Sequence, residues 1–278
     1  MRNLSVIVLN YNQAEILKKC IQSIYQNTPG LDLEIILVDN ASTDNSIEMT
    51  ETEFPEVIVV QSKEMIGFSA GNNLGIKIAQ GRNICLLNND AFVKERCLNI
   101  LSAFLDTHPE AGIVGPALLN SDDTRQRQGA LMGNQFWKST KAHPVQMVIG
   151  ACLMFKREVL DKIGLMDEQL FFYNDDLDYC LSSQKVGLLT YFVPEAHCVH
   201  LGGHSSKRTF NRKLFVTGFK GGLYFTKKHY GWAALQLYRG FLILAFFITL
   251  PFILFPKKSY LEKLRAYGEI FNLAWFWR

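Results

Sequence analysis

Apolar residues in the first 110 positions fall in short blocks that switch between two periods. Leu4–Leu9 is a continuous run rich in β-branched residues, and Ile16, Leu17, Cys20, Ile21, Ile24 and Tyr25 then recur at helical spacing until Pro29-Gly30. Leu33–Val38 is a second buried run, Val57–Gln61 a third and Asn83–Leu87 a fourth. Between them Ile76–Gln80 reads as helical, and Glu95–Thr107 places Leu98, Leu101, Phe104 and Leu105 on one helix face. Runs of four to eight apolar residues between amphipathic helices predict β-α-β units and an open α/β fold. In such folds ligands bind beyond the carboxyl ends of the strands.

Past residue 110 the alternation breaks into shorter pieces. Gly112–Gly115 and Leu118-Leu119 read as short strands, and Ser121–Trp137 as a polar loop, a candidate lid or acceptor-side segment. Met147–Phe155 is apolar enough for a strand, Lys156–Ile163 suits a short helix ending at Gly164, a helix begins near Asp175, and Leu188–Val193 reads as a further strand. The tail differs. Gly240–Pro256 is a run of 17 uncharged residues, at the lower limit of the roughly 17–25 needed to span a bilayer core of about 30 Å. Arg239 before it and Lys257-Lys258 after it give no orientation, and Pro251 allows a re-entrant bend. Leu261, Leu264, Tyr267, Phe271 and Trp275 mark a final amphipathic helix ending in Trp275-Phe276-Trp277-Arg278, suited to a headgroup region. A soluble core helix at 240–256 is the alternative.

Charge sharpens the split between body and tail. The overall +3 combines +11 in residues 205–278, which hold 13 Lys and Arg against 2 Asp and Glu, with −8 in residues 1–204, which hold 16 against 24. An acidic body with a basic tail suggests a catalytic domain held at an anionic surface and gives no sign of nucleic-acid binding. The chain, with 278 residues of which 48% are hydrophobic, is large enough for a proper core. Six cysteines lack metal-like C-x-x-C spacing and read as reduced packing residues of a cytosolic protein. The six-residue apolar run after Arg2 is short for a signal peptide.

Candidate chemistry sits where apolar runs stop. Cys85–Leu87 ends abruptly at Asn88-Asn89-Asp90, and a carboxylate between apolar segments calls for a counter-ion such as a divalent cation carrying phosphates; capping of the next element is the plainer alternative. Asp39 ends the second strand, one residue too early to be the natural helix cap, where it can brace the loop or accept the imide N–H of a uracil or thymine. Gly67–Gly75 is a glycine-rich turn leading into a helix, without a Walker or dinucleotide spacing. Asp175, Asp176 and Asp178 exceed what a helix start requires, and a carboxylate at hydrogen-bonding distance from a reacting group can take its proton. His197, His200 and His204 follow the last strand, with alternation turning the first two to opposite faces.

Val6–Asn12, the Val38–Asp44 turn, the Gly67–Gly75 loop and Leu87-Asn88-Asn89-Asp90 together resemble, in order and spacing, family 2 glycosyltransferases of GT-A fold, and bacterial rhamnosyltransferases extending lipid-linked glycans in particular. The resemblance spans residues 3–230 or so. It implies a Rossmann-like nucleotide-diphospho-sugar transferase over residues 1–230, followed by membrane-associating helices over 231–278. It further implies donor binding by Asn10, Asp39, Asn40, Gly67, Asn72, Asn73 and Asn89, and a divalent metal, Mg or Mn, held by Asp90 and His200. Asn88 stands where the family's D-x-D motif has its first Asp, so one negative metal ligand is missing. Asp175 and Asp176 match the family's acidic pair, with Asp176 as general base and Asp175 supporting binding. The reaction implied is inverting transfer from a nucleoside-diphosphate-sugar, dTDP-rhamnose foremost, to a polyprenyl-diphosphate-linked saccharide at the cytoplasmic face of the bacterial inner membrane. A nucleotidyltransferase and a non-catalytic, membrane-tethered glycan-binding protein are the other readings.

Overall fold

The described residues build one mixed nine-stranded sheet in the order β3 (Ile58–Gln61), β2 (Leu33–Asp39), β1 (Arg2–Asn10), β4 (Gly81–Asn88), β8 (Cys152–Lys156), β6 (Ala111–Leu119), β9 (Leu189–His200), β5 (Ala91–Val93), with β7 (His143–Pro144) paired to β9. A computed structural model describes residues 2–129, 135–171, 173–202, 212–249 and 258–276. Two compact units emerge: Met1–Asp167 with Asp176–Gly202, and Glu168–Asp175 with Gly203–Arg278.

In the first unit β1 (Arg2–Asn10) lies between β2 (Leu33–Asp39) and β4 (Gly81–Asn88), and all three run parallel, with β3 (Ile58–Gln61) parallel beyond β2. The register sets Leu9 beside both Val38 and Asn88, and Asn10 beside Asp39, so the polar ends of the apolar runs share one edge. Strand residues alternate between two cores. Leu4, Val6 and Val8 pack with α1 (Ala14–Asn27) and α4 (Cys97–Thr107), whereas Ile7, Ile36 and Val38 pack with α3 (Phe68–Ile78), α5 (Arg157–Ile163) and α6 (Asp175–Lys185). A strand covered on both faces is apolar at most positions, and the polar residues these strands do bury are paired: Ser5 donates to Glu34 (2.6 Å) and Asn83 to Ser102 (3.0 Å). A short helix, α2 (Ser46–Glu53), links β2 to β3.

Four local expectations change. The glycine-rich segment is not a loop before a helix at 76: α3 starts at Phe68, and a methyl group on Gly71 or Gly75 would lie 2.6 Å from Leu9 or Ile7 of β1. Those glycines let the helix lie close to the sheet, and only Gly67, at φ 88, has a turn's conformation. The pieces at 112–119 form one strand, β6 (Ala111–Leu119), buried throughout. Within 147–155 only Cys152 onward belongs to a strand, β8 (Cys152–Lys156), antiparallel to β4 and β6. Finally, β9 (Leu189–His200) runs through Pro194, because its register with β6 jumps from Val193 to His197 and the proline falls in the bulge. β9 then pairs antiparallel with β5 (Ala91–Val93) and β7 (His143–Pro144). All six cysteines are free and buried, and burial pushes the Cys180 thiol up to about 12.

The second unit is helical. α7 (Arg212–Thr249) breaks at Gly231, whose φ of 81 and ψ of −172 are non-helical, and α8 (Lys258–Phe276) follows. The basic stretch before Trp232, which carries no apolar run, is therefore helical as well. Leu223, Leu235, Leu242, Ile270 and Ala274 form the unit's core. Gly222 lies against Tyr238, Phe215 meets the Tyr267 ring edge-on, and Arg212 is 3.4 Å from Glu269, so both halves of α7 and α8 pack on one another. Arg239 donates to the carbonyls of Ala274 (2.5 Å) and Trp275 (2.8 Å) near the end of α8. By length and composition, α7 has a segment apolar enough to cross a membrane. His204, Lys207, Arg208, Pro251, Lys257 and Trp277 lie outside the described residues.

Candidate active site

The parallel strands deliver Asn10, Asp39 and Asn88 side by side, and hydrogen bonds extend that edge. Asn10 donates to Asp39 Oδ1 (3.2 Å) and accepts from Asn89 Nδ2 (2.7 Å). Asp39 Oδ2 accepts from the Ser42 N–H (2.9 Å), and Asn12 Oδ1 accepts from the Thr43 N–H (2.8 Å). Thus Asp39 braces its own turn through both oxygens, Oδ1 accepting from the Ser42 hydroxyl as well as from Asn10. Asn12, Gln13 and Ala41 take left-handed backbone conformations here, costly for residues with a Cβ and typical of constrained functional turns. Asn40 ties this edge to the glycine turn, donating to Gly67 O (3.3 Å) and accepting from the Ile66 N–H (2.9 Å).

The two asparagines of α3 are both buried but differ in role. Asn73 grips the backbone of Met166, donating to its carbonyl (2.9 Å) and accepting from its N–H (3.0 Å). Asn72 donates to Phe68 O (3.0 Å), while its Oδ1 and the nearby Ser69 Oγ are buried without a hydrogen-bond partner among the described residues. Such acceptors stay costly until a donor reaches them.

Asp90 and His200 come together although 200 is remote in sequence. The imidazole Nε2 is 3.4 Å from Asp90 Oδ1, both side chains are largely buried, and the Leu201 N–H donates to Asp90 O (3.0 Å). His200 Nδ1 is 2.9 Å from Gln126 Oε1. Among the described residues no three His, Cys, Asp or Glu side chains converge closely enough to hold a metal alone. A hard-oxygen and an imidazole ligand nevertheless suit a divalent ion whose remaining positions are filled by phosphate oxygens and water. For His197, burial and the nearby Arg125 hold the imidazole below its usual range.

Asp176 stands in the first turn of α6. Its Oδ2 accepts from the Gly150 N–H (3.1 Å) and its Oδ1 from the Leu177 N–H (2.8 Å). Burial pushes its carboxyl above the ordinary carboxylate range despite those bonds. A Cβ on Gly150 would meet the Phe68 ring at 2.9 Å and Asp176 at 3.6 Å, while Ala151 O accepts from the Asn88 N–H (3.0 Å). The segment before β8 therefore joins the carboxylate of α6 to the start of α3 and to the end of β4. A base with raised pKa beside a polar, cation-compatible edge is suited to deprotonating a hydroxyl next to a diphosphate. Asp175, the preceding residue, is buried.

Sequence reasoning missed Asn12, Ser42, Gln126 and Gly150. Asn12 and Ser42 lay within motifs already marked. Gln126 and Gly150 carry no local signal, because each acts on a partner fixed only by tertiary pairing.

Residues 5–164 match the family described as Glycosyl transferase family 2. Among curated proteins the chain is similar to the N-acetylglucosaminyl-diphospho-decaprenol L-rhamnosyltransferase of Mycobacterium tuberculosis, at 25% identity over 82% of this chain and 86% of that protein. It is also similar to the dTDP-rhamnosyl transferase RfbF of Shigella flexneri, at 21% identity over 73% and 71%. Among solved structures, the mannosyltransferase PcManGT from Pyrobaculum calidifontis, in complex with GDP-Man and Mn2+, superposes with a TM-score of 0.62 at 17% identity, over 98% of this chain and 86% of that one. The sheet described above is thus of GT-A type, and the chain belongs to glycosyl transferase family 2 and is a glycosyltransferase.

Proposed function

We propose that this glycosyltransferase is an inverting enzyme that moves rhamnose from dTDP-rhamnose to a polyprenyl-diphosphate-linked saccharide. The carrying observation is the hydrogen-bonded edge Asp39–Asn10–Asn89, which is continuous in sequence with Asp90 and linked through Asn88, Ala151 and Gly150 to Asp176. The names of the mycobacterial and Shigella relatives support the sugar and the lipid-linked acceptor.

In this reading Asp39 accepts the imide N–H of the pyrimidine, and Asn10, Asn40, Asn89 and Gly67 shape the nucleotide site. Asn72 turns its unpartnered Oδ1 to the donor, and Asn73 holds α3 in place through Met166. Asp90 and His200 would hold a divalent cation, whose charge, when bound, stabilises the leaving diphosphate. Asp176 takes the proton of the acceptor hydroxyl as its oxygen attacks the anomeric carbon. The bond from that carbon to the diphosphate oxygen breaks, the nucleoside diphosphate leaves with the electron pair, and the configuration inverts. No enzyme nucleophile is needed, and Asp175 assists binding from the adjacent position.

The functional division is residues 1–230 for transfer and 231–278 for attachment. Attachment is to the cytoplasmic face of the membrane, where nucleotide sugars are made, and it is in-plane rather than spanning. Leu237, Phe241, Leu244 and Ile248 repeat at i, i+4, i+7 and i+11, and each is more than half exposed. The opposite face of the same helix packs through Leu235, Tyr238 and Leu242. If the apolar run that begins at Gly240 crossed the bilayer, the helix packed beside it, bearing Lys213 and Lys220, would have to accompany it.

The test is a transfer assay on the purified full-length chain with dTDP-rhamnose, UDP- and GDP-sugars against a synthetic lipid-diphosphate saccharide, with and without Mn2+, and the product's anomeric configuration read by NMR. Release of pyrophosphate instead, or product only from another donor, would overturn the corresponding part of the proposal.

A further inference from the structure

We infer that Gln126 is a positioning residue that fixes the proton of His200 on Nδ1, leaving Nε2 as the nitrogen that faces Asp90 as a ligand. The inference rests on the reading that Asp90 and His200 hold the cation, and it assigns a role to a side chain outside every recognised motif.

A chain of hydrogen bonds whose direction can be read from one end carries it. Asp122 is an exposed carboxylate, ionised near neutral pH and therefore an acceptor only, and it accepts from Thr124 Oγ1 (2.6 Å). The Thr124 hydroxyl has therefore given its single proton away, and it can only accept from Asn120 Nδ2 (3.0 Å). Asn120 then turns Oδ1 to Gln126, whose Nε2 donates to it (3.2 Å) and to the His200 carbonyl (3.2 Å). Both acceptors lie on the nitrogen side of the Gln126 amide, which leaves Oε1 facing His200 Nδ1 at 2.9 Å. A carbonyl oxygen cannot donate, so Nδ1 carries the hydrogen. The amide orientation, ordinarily ambiguous, is dictated here by the network.

The backbone makes Gln126 a rigid support. Its N–H donates to Leu118 O (2.8 Å) at the end of β6, and the Asn120 N–H donates to Thr124 O (2.8 Å), closing a tight turn. With Nδ1 committed, only Nε2 can present a lone pair, and it lies 3.4 Å from Asp90 Oδ1. Outer partners of this kind orient a metal-binding histidine and raise its basicity, and their loss typically lowers metal affinity about 10–100-fold.

Two measurements on the full-length protein in detergent test this. Long-range proton–nitrogen NMR of histidine-labelled protein, without metal and at a pH where His200 is neutral, is expected to show His200 as the Nδ1–H tautomer in the wild type. Gln126→Leu should shift it toward a mixture. Mn2+ affinity is then measured by electron paramagnetic resonance with whichever of dTDP, UDP or GDP gives the largest thermal shift. Gln126→Leu should weaken it about 10–100-fold, while Gln126→Glu, which keeps an acceptor toward Nδ1, should bind within a few-fold of wild type. His200→Ala separates the two levels. Loss of affinity in His200→Ala but not in Gln126→Leu overturns the role of Gln126 alone, whereas unchanged affinity in His200→Ala overturns the cation site itself. An Nε2–H tautomer in the wild type, or equal weakening by Leu and Glu, also overturns the inference.

Discussion

Asp90 and His200 face each other at 3.4 Å because the antiparallel register of β5 and β9 sets Ala91 opposite His200. Neither residue could reach the other without that pairing. If the pair holds the cation, Asp90→Ala should abolish transfer and the Mn2+-dependent part of donor binding, with little change in Tm. Asn88→Asp, which places an acidic residue two positions before Asp90, should be tolerated. Calorimetric titration of donor with and without Mn2+ checks both, and metal-dependent binding that survives in Asp90→Ala would remove Asp90 from the site.

Asp176→Asn keeps the shape of the side chain and removes its basicity. Donor affinity should persist while transfer falls by roughly 10²–10⁴-fold, the usual share of a positioned general base. Near-normal turnover in this variant would move the role to Asp175 or Asp178.

The same carboxyl sets a pH dependence. Burial raises its folded pKa above the ordinary 3.8, so the acid limb of kcat should lie above that of an exposed carboxylate, with activity rising as pH rises through it. Its contribution to stability runs the other way. It is fully present below the unfolded pKa and is lost as pH rises through the raised folded value, once the enclosed group ionises. Asp176→Asn should accordingly be more stable than wild type at neutral pH and lose that advantage in acid, which thermal melts across pH would show. A variant less stable than wild type at neutral pH contradicts this.

Gly71 and Gly75 look equivalent in the sequence but should respond differently to alanine. At Gly75 the added methyl meets the branched side chain of Ile7 at 2.6 Å and Val38 at 3.1 Å, which have little freedom to yield, and overpacking of this kind costs about 1–3 kcal/mol. At Gly71 the methyl meets the flexible end of Leu9, and the helix gain of about 1 kcal/mol for Gly→Ala offsets the strain. Chemical denaturation of the two variants measures the difference, and equal loss at both sites would refute the packing argument.

For attachment, burying large apolar side chains at about 1.5–3 kcal/mol each outweighs about 1 kcal/mol per surface basic residue. High salt should therefore leave the protein on membranes. Phe241→Glu with Leu244→Glu should release it and keep the fold, since both residues are exposed. Sedimentation with vesicles of mixed neutral and anionic lipid reads this out, and a double variant that still sediments would exclude the Leu237–Ile248 face as the anchor.

The sequence by itself determined where strands end and what chemistry stands there. Leu4–Leu9, Leu33–Val38 and Asn83–Leu87 are predominantly apolar because both sheet faces are covered, and the polar residues that end them share one edge of the sheet. It also marked Asp90, His200 and Asp176 as single residues of interest, and the apolar tail as distinct from the acidic body. Tertiary structure decided which of these meet. Pairing of β5 with β9 brought His200 to Asp90, and the unpaired segment before β8 brought the Gly150 N–H to Asp176. The glycines of α3 illustrate the limit most directly. A glycine that supplies a turn and one that admits a neighbouring strand are the same letter, and only the distance to Ile7 or Leu9 separates them. Hydrophobic period is a local property of the chain, whereas close approach, register and hydrogen-bond direction depend on partners that no local pattern names.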